Sequence, residues 1–386
     1  MAGLYLHIPF CSQRCVYCDF YFVTTRKTHA SFVQALCTEI EHYAHEYGHE
    51  PVETIYFGGG TPSLLHHDEI HRILQTIHHQ FDTSAVREVT LELNPEDGTL
   101  DYLRGLRTLG IDRLSIGIQS FFEKDLAFLN RSHSVDHAEA IVPLARRAGF
   151  SNFSVDLIFG LPNQPREYWA ANLEKVTQQE VPHLSAYSLT IEERTVLHKQ
   201  VARGLITPAT DDLLAERFQF TMDYLGARGY EQYEISNFAR PGYRAEHNQF
   251  YWNHTNYLGF GPSAHSFWWK SLPSPVAIRW ANVRNLRRYE ALLQQRRVPL
   301  EFREQLSYDM MADEHIMLRL RTSEGLDLDL LEEKYGADLL FEKIDELARL
   351  EAEGLIEPIR NSRVRLTDQG KQLCDAVTTN LLLEAQ

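Results

Sequence analysis

The chain of 386 residues is 44% apolar and 24% charged, a globular composition that excludes disordered, collagen-like and coiled-coil chains and allows two or three domains. Its 53 carboxylates against 38 Lys and Arg leave a net charge of -15, which repels phosphate backbones and argues against nucleic acid as a partner. No apolar run reaches the ~18 residues of a membrane-spanning helix, and the start Met1-Ala-Gly-Leu-Tyr5 has neither a basic nor an apolar leader, so a cytoplasmic protein is expected.

The first element is a short strand, Leu4 to Ile8, stopped by Pro9, which cannot donate to a ladder. A loop follows with Cys11, Cys15 and Cys18, three of the five cysteines of the chain. They are too clustered for a disulfide framework. At C-x3-C-x2-C spacing, three thiolates can converge on one face of a cuboidal [4Fe-4S] cluster and leave the fourth iron open for chemistry. The alternative is a zinc knuckle, which needs a further donor to close its tetrahedron; His7 and His29 are the nearby candidates, and His7 lies within the strand. Cys37 falls on the helical pattern Phe32, Leu36, Ile40, Tyr43, and Cys374 lies near the far end; both read as incidental buried thiols.

Further along, strand-like runs at Thr54 to Phe57, Glu88 to Leu93, Arg113 to Ile118, Phe153 to Ile158 and Leu184 to Leu189 alternate with helical patterns such as Ile70, Ile73, Leu74, Ile77 and Ala138, Ile141, Val142, Ala145. Six βα units predict an α/β fold, a partial, TIM-like (β/α)6 barrel with functional residues at the C-terminal ends of its strands. Gly58-Gly59-Gly60-Thr61-Pro62 ends the second strand and either exposes amides to a ligand or lets a neighbouring strand approach. It lacks the Lys-Ser/Thr of a phosphate loop. Glu92 and Asn94 end the third strand, Gln119 and Ser120 the fourth, and Asp156 lies in the fifth. Carboxylates buried there need partners, in a ligand or a salt bridge. Arg131, in Leu129-Asn-Arg-Ser-His133, is placed to grip a cofactor carboxylate or else is simply solvated.

The cysteine spacing with Tyr17 before the last cysteine resembles the signature of the radical S-adenosylmethionine superfamily, in which the cofactor's amino and carboxylate groups bind the open iron and an electron from the cluster cleaves it. Tyr-Leu-His-Ile-Pro-Phe-Cys11, Phe57-Gly-Gly-Gly-Thr-Pro-Ser63, Glu92-Leu-Asn-Pro95, Ser115-Ile-Gly-Ile-Gln-Ser-Phe121, Asn130-Arg-Ser-His133 and Val155-Asp-Leu-Ile-Phe-Gly-Leu-Pro162 resemble the oxygen-independent coproporphyrinogen III oxidase group. That resemblance implies that Tyr5, Gly59, Gly60, Thr61, Glu92, Gln119, Arg131 and Asp156 surround S-adenosylmethionine, with Phe20 and Tyr17 near the adenine.

Within that group the oxidases carry a cysteine two residues after the third, where this chain has Phe20, and an N-terminal extension where only four residues precede Tyr5. The run His247-Asn-x-x-Tyr251-Trp252, followed by Tyr257-Leu-Gly-Phe-Gly-Pro-Ser-Ala-His265-Ser, resembles the HemW haem chaperones. The resemblance implies a carrier of haem for apo-haemoproteins of respiratory chains, with peripheral contact with membrane proteins, a cluster-dependent homodimer and no coproporphyrinogen oxidase activity. Porphyrinogen oxidation by a radical mechanism is the rival reading. A neutral imidazole flanked by aromatic surface suits haem iron, so His247 is the haem candidate and His265 the second choice; a buried hydrogen-bond network is the other reading of His247. The expected division is a core over residues 1–230, an extension over 231–305 and a winged-helix-like α+β module over 306–386, whose acidic helices suit packing or partner docking rather than DNA. Ser271-Leu-Pro-Ser-Pro275 is the clearest loop and is expected to border the ligand cleft.

Overall fold

Six strands, β1 (Ala2–Ile8), β2 (Val52–Gly59), β3 (Glu88–Leu93), β4 (Arg113–Gln119), β5 (Asn152–Phe159) and β6 (His183–Ser188), lie side by side in chain order, every neighbouring pair parallel. Parallel neighbours require a crossover, and the helices His29–Tyr47, His67–Gln80, Leu100–Thr108, Val135–Arg147 and Arg166–Gln178 supply them. The computed structural model describes residues 1–25, 28–270 and 277–383; the loop Ser271 to Pro275 lies outside the described residues.

Along each strand one set of alternate residues is apolar and fully buried: Leu4 and Leu6, Ile55 and Phe57, Leu114 and Ile116, Val155 and Leu157. These pack under the helices. Parallel strands buried on both faces ordinarily read as unbroken apolar runs. Here the intervening positions are polar, because the other face of the sheet encloses a cavity.

The sheet does not stop at six strands. β7 (Glu231–Gln232) and β8 (Asn237–Ala239) extend it antiparallel beyond β6, while β9 (Asn256–Phe260) lies parallel to β1 and leads into antiparallel β10 (His265–Trp269), β11 (Ala277–Asn282) and β12 (Leu300–Leu306). Residues 231–305 therefore continue the core sheet at both edges, in a twelve-stranded order β12-β11-β10-β9-β1-β2-β3-β4-β5-β6-β8-β7. Trp268 and Trp280 fix the β10–β11 wing by packing on Tyr47 and Tyr43 of the first long helix, with ring centroids 4.6 and 5.8 Å apart.

The C-terminal module has the helices Tyr308–Leu320, Leu328–Tyr335, Leu339–Glu342 and Ile344–Ala352, then a hairpin closed by the bridges Ile356 to Leu366 and Arg360 to Arg363. This is the winged-helix-like arrangement expected, with two further helices, Asp368–Gln372 and Cys374–Leu381, that the acidic sequence pattern did not reveal. Its core runs into the wing through Phe267, Ala277 and Leu306. Among the described residues no helix is long and apolar enough to cross a membrane.

Candidate functional site

The cysteine loop is held from three sides. Cys11 N donates to Val23 O at 3.0 Å and Val23 N to Pro9 O at 2.6 Å, closing the loop on itself. Val16 N bonds Leu129 O at 3.2 Å, and the Asn130 side-chain amide bonds Arg14 O at 2.6 Å. Leu197 N, at the start of another helix, bonds Val16 O at 2.9 Å. The three free thiols are partly exposed and stand on the rim of a cavity of about 660 Å³ enclosed by the strands.

Two of the sulfurs already have donors. Thr61 Oγ1 lies 3.6 Å from Cys11 Sγ and Arg131 Nη1 lies 3.4 Å from Cys15 Sγ. Burial, partly offset by Thr61, pushes the Cys11 thiol up to about 12, and burial likewise pushes Cys18 up to about 11. Both are protonated at neutral pH until a metal takes the proton's place. Cys37 and Cys374 are buried in the two hydrophobic cores, away from this rim.

Beside Cys11 stands the glycine turn that ends β2. A Cβ on Gly59, whose φ is +107°, would lie 2.5 Å from the His7 ring; one on Gly60 would lie 2.7 Å from the Phe10 carbonyl. Only glycine lets this turn sit against β1. Its geometry serves the site as well, since Gly59, Gly60 and Thr61 line the cavity.

Two half-buried carboxylates face the same space. Glu92 accepts from Tyr56 Oη at 2.9 Å and from Gly59 N at 3.2 Å. Burial raises its pKa to about 7, against those two bonds and with the help of the nearby Asp156 charge. Asp156 Oδ2 accepts from Ser115 at 3.3 Å, while its Oδ1 is buried with no partner; burial raises its pKa too. A pair of half-buried carboxylates with one orphaned oxygen is a site prepared for a cationic ligand. Gln119 is turned into the cavity by a break in register after Ile116 and by a left-handed φ of 66°. That strained conformation at a site residue is the kind that function retains.

Arg131 does not stand free. Its Nη2 donates to Asn94 Oδ1 at 2.7 Å and to Gly117 O at 2.9 Å, and only its buried Nε lacks a partner. Of its five N–H donors three go to Asn94, Gly117 and Cys15; the guanidinium braces the cysteine loop and keeps two, on Nε and Nη1, for a ligand. Tyr17 and Phe20 line the cavity beside the cysteines, Phe20 being 68% exposed.

Tyr5 and His247 are the expected site residues that do not line the cavity. Tyr5 lies on the inner face of β1 beside the lining Tyr56, stacked on it with centroids 6.0 Å apart and bonded through Oη to His7 Nδ1 at 3.3 Å. His247 lies on the helix Glu246–Trp252, under the N-terminal ends of β1 to β3. Glu88 accepts from the backbone of Glu246 and His247, and both His247 ring nitrogens are engaged, Nδ1 with Thr54 Oγ1 at 2.8 Å and Nε2 with Tyr251 Oη at 2.9 Å. Five residues of β2 separate Thr54 from Gly59, about 16 Å of strand. The histidine motif thus closes the floor of the barrel, far from the cysteines, and His247 can meet an iron only by giving up one of those bonds.

The floor itself was missed from the sequence. Arg113, 2% exposed, faces Glu88 at 3.8 Å, and Ser154, His183 and Ser185 line the cavity beside it. The signal was present as polar residues at every second position of strands whose other face is apolar, a pattern that parallel strands do not show without an interior to fill.

A model of the radical SAM superfamily matches residues 5–176, and one described as the HemN C-terminal domain matches residues 306–373. The chain is 34% identical to a protein of Mycobacterium tuberculosis named "Heme chaperone HemW", over 98% of this chain and 94% of that one. A protein of the same name from Lactococcus lactis is 32% identical over 98% and 97%. Among solved structures, coproporphyrinogen III oxidase of Escherichia coli, described as a radical SAM enzyme, superposes with a TM-score of 0.83 at 25% identity, over 100% of this chain and 90% of that one.

Proposed function

Since the chain belongs to the HemW haem chaperone family of the radical SAM superfamily, we propose that it carries haem, using a [4Fe-4S] cluster on Cys11, Cys15 and Cys18 together with S-adenosylmethionine, and delivers haem to apo-haemoproteins. The observation that supports the cofactor reading most directly is the convergence of three thiols, an open glycine turn and two unneutralised carboxylates on one cavity.

The donor set fits the group. Three sulfurs on the rim, with no fourth cysteine among the lining residues, suit a cube that keeps one iron open. Bound there, the cluster supplies an open coordination site and a low-potential electron. Thr61 and Arg131 then donate to the Cys11 and Cys15 sulfurs, and such bonds stabilise thiolate charge. Glu92 and Asp156 receive the positively charged part of S-adenosylmethionine, and the Gly59, Gly60 and Gln119 positions surround it. Tyr17 and Phe20 flank its adenine. Tyr5 acts indirectly, by holding the His7 ring against Gly59.

Acceptors in respiratory chains, peripheral contact with membrane proteins and a homodimer formed when the cluster is loaded extend the same proposal. The oxidase reading keeps one specific support, the full-length superposition on coproporphyrinogen III oxidase. One experiment separates the two. Chain reconstituted without oxygen is titrated with hemin and, in parallel, incubated with coproporphyrinogen III, S-adenosylmethionine and a low-potential reductant. Stoichiometric Soret absorbance without porphyrinogen turnover is the expected result; turnover without haem binding reverses the assignment.

A further inference from the structure

The inner face of the sheet continues past the barrel into β9 to β12, and there its character changes. Cross-strand pairing puts His265 opposite Ala281 and Ala281 opposite Phe302, so the three share one face. The next row is Phe267, Arg279 and Glu304, the last two an ion pair at 2.8 Å, and the one after it is Trp269, Ala277 and Leu306; Phe267, Ala277 and Leu306 are buried in the core of the C-terminal module. The uppermost row is not: Phe302 is 41% exposed, His265 is exposed, and their rings meet edge-on with centroids 5.9 Å apart.

This row stands at the same end of the sheet as the cysteines. Arg284, just beyond β11, donates to the backbone carbonyl of Asp19 and lies 3.7 Å from its carboxylate, between Cys18 and the exposed Phe20. His265 is also held rigidly. Buried Glu39 accepts from Gly261 N at 2.8 Å, Asn282 Nδ2 at 2.6 Å and Tyr289 Oη at 2.5 Å, and Asn282 N bonds Ala264 O at 2.9 Å. The turn that presents the imidazole is therefore built by four separate elements, as a preorganised ligand requires.

Among the histidines around this inner face, His7 is bonded to Tyr5 and Tyr21, His247 to Thr54 and Tyr251, and His254 to Tyr335 and Glu314. His265 makes no side-chain hydrogen bond to a described residue. Partial burial and the Arg279 and Arg284 charges lower its pKa, which leaves the ring neutral and its lone pair free at pH 7. The barrel cavity offers the opposite surroundings: Arg113, Glu92, Asp156 and serine hydroxyls would be stripped of water by an apolar macrocycle.

We propose that haem docks outside the barrel on the His265–Ala281–Phe302 row, with His265 as an axial ligand of the iron, Phe302 against the macrocycle and Arg284 toward a propionate. The inference rests on the haem-carrying function proposed above. Cluster-loaded full-length protein is titrated with hemin as wild type, His265→Ala, His247→Ala and His71→Ala, the last an exposed histidine on the helix His67–Gln80, and absorbance and electron paramagnetic resonance spectra are recorded. His265→Ala is expected to weaken binding at least about tenfold and to remove the imidazole-ligated signature, which added imidazole restores in His265→Gly. The other two variants keep both affinity and spectrum. Wild type that binds with unchanged affinity and spectrum in His265→Ala overturns the site and leaves the haem function standing. So does an equal loss in His71→Ala, which marks surface adsorption. Loss in His247→Ala alone moves the iron to the barrel floor, and a wild type that binds no hemin removes the function and the site together.

Discussion

The barrel and its wing share one sheet and one inner face, yet they solve burial in opposite ways. In β1 to β6 the inner positions are charged or hydroxylated and surround a cavity of about 660 Å³, with Arg113 buried and Glu92 and Asp156 half-buried at a cost that only partners can offset. In β9 to β12 the same face is mostly aromatic and aliphatic, its charged pair, Arg279 and Glu304, neutralised within the sheet, and the C-terminal module packs on it below the upper edge. A polar interior suits a small charged cofactor beside a metal cluster; an aromatic edge suits a flat apolar ligand. Neighbouring strands of one sheet can thus hold two ligand chemistries apart without a domain boundary between them.

The largest expected effect concerns the barrel alone. Replacing any one of Cys11, Cys15 or Cys18 by Ala should take iron after anaerobic reconstitution from about four per chain to near none, while Cys37→Ser, in the hydrophobic core, leaves the iron count unchanged. Equal loss in Cys37→Ser would mean that the cluster does not belong to this rim. Next in size is the floor. Arg113→Met leaves the Glu88 carboxylate, itself 2% exposed, without its cation, and breaking such a buried pair costs about 3–5 kcal/mol. A fall in the urea midpoint checks it, and Glu88→Gln in the same chain should recover part of the loss. No comparable penalty is expected from Phe302→Ser, because that side chain already faces water.

The contrast between the regions also explains what could be read beforehand. Strands β1 to β6 were legible because each pairs an apolar run with a turn or proline at its end; the cysteines, Gly59, Gly60, Thr61, Glu92 and Gln119 fall at those ends, Asp156 inside β5 and Arg131 in a loop between two helices. The wing was not. β9 to β11 are five or six residues long and rich in aromatics, and β9, which joins them to the core sheet, pairs with β1 across more than two hundred residues of chain, so no local pattern marks them. His247 and His265 look alike in sequence, each a histidine in a distinctive motif. Only the fold distinguishes them, since whether the ring nitrogens are taken depends on Thr54 and Tyr251 for one and on an uncovered sheet edge for the other.

His247→Ala tests that distinction from the stability side. Removing the ring orphans the Thr54 and Tyr251 hydroxyls beneath the barrel, a loss of about 1–3 kcal/mol visible as a lower denaturation midpoint, whereas His265→Ala should leave the midpoint within about 0.5 kcal/mol. Similar midpoints for the two would mean that the helix Glu246–Trp252 is not what closes the floor.

The smallest effect is a slope with pH, and it too separates the regions. Glu92 in the cavity and Glu39 under the wing both have pKa values raised by burial from 4.5 to about 7. Between those two values the folded chain keeps a proton that the unfolded chain releases, so stability falls as pH rises through the window, by at most about 1.4 kcal/mol per pH unit for each group, and is level above it. In the proposed placement S-adenosylmethionine brings positive charge to Glu92 and lowers its pKa, while Glu39, fixed by Tyr289, Asn282 and Gly261, does not feel the ligand. Denaturation midpoints measured from pH 5 to 7 should therefore lose part of their slope when the ligand is added, and Glu92→Gln should remove that part beforehand while Glu39→Gln leaves the ligand's effect intact. A slope indifferent to S-adenosylmethionine would mean that the cavity carboxylates are not where the positive charge goes.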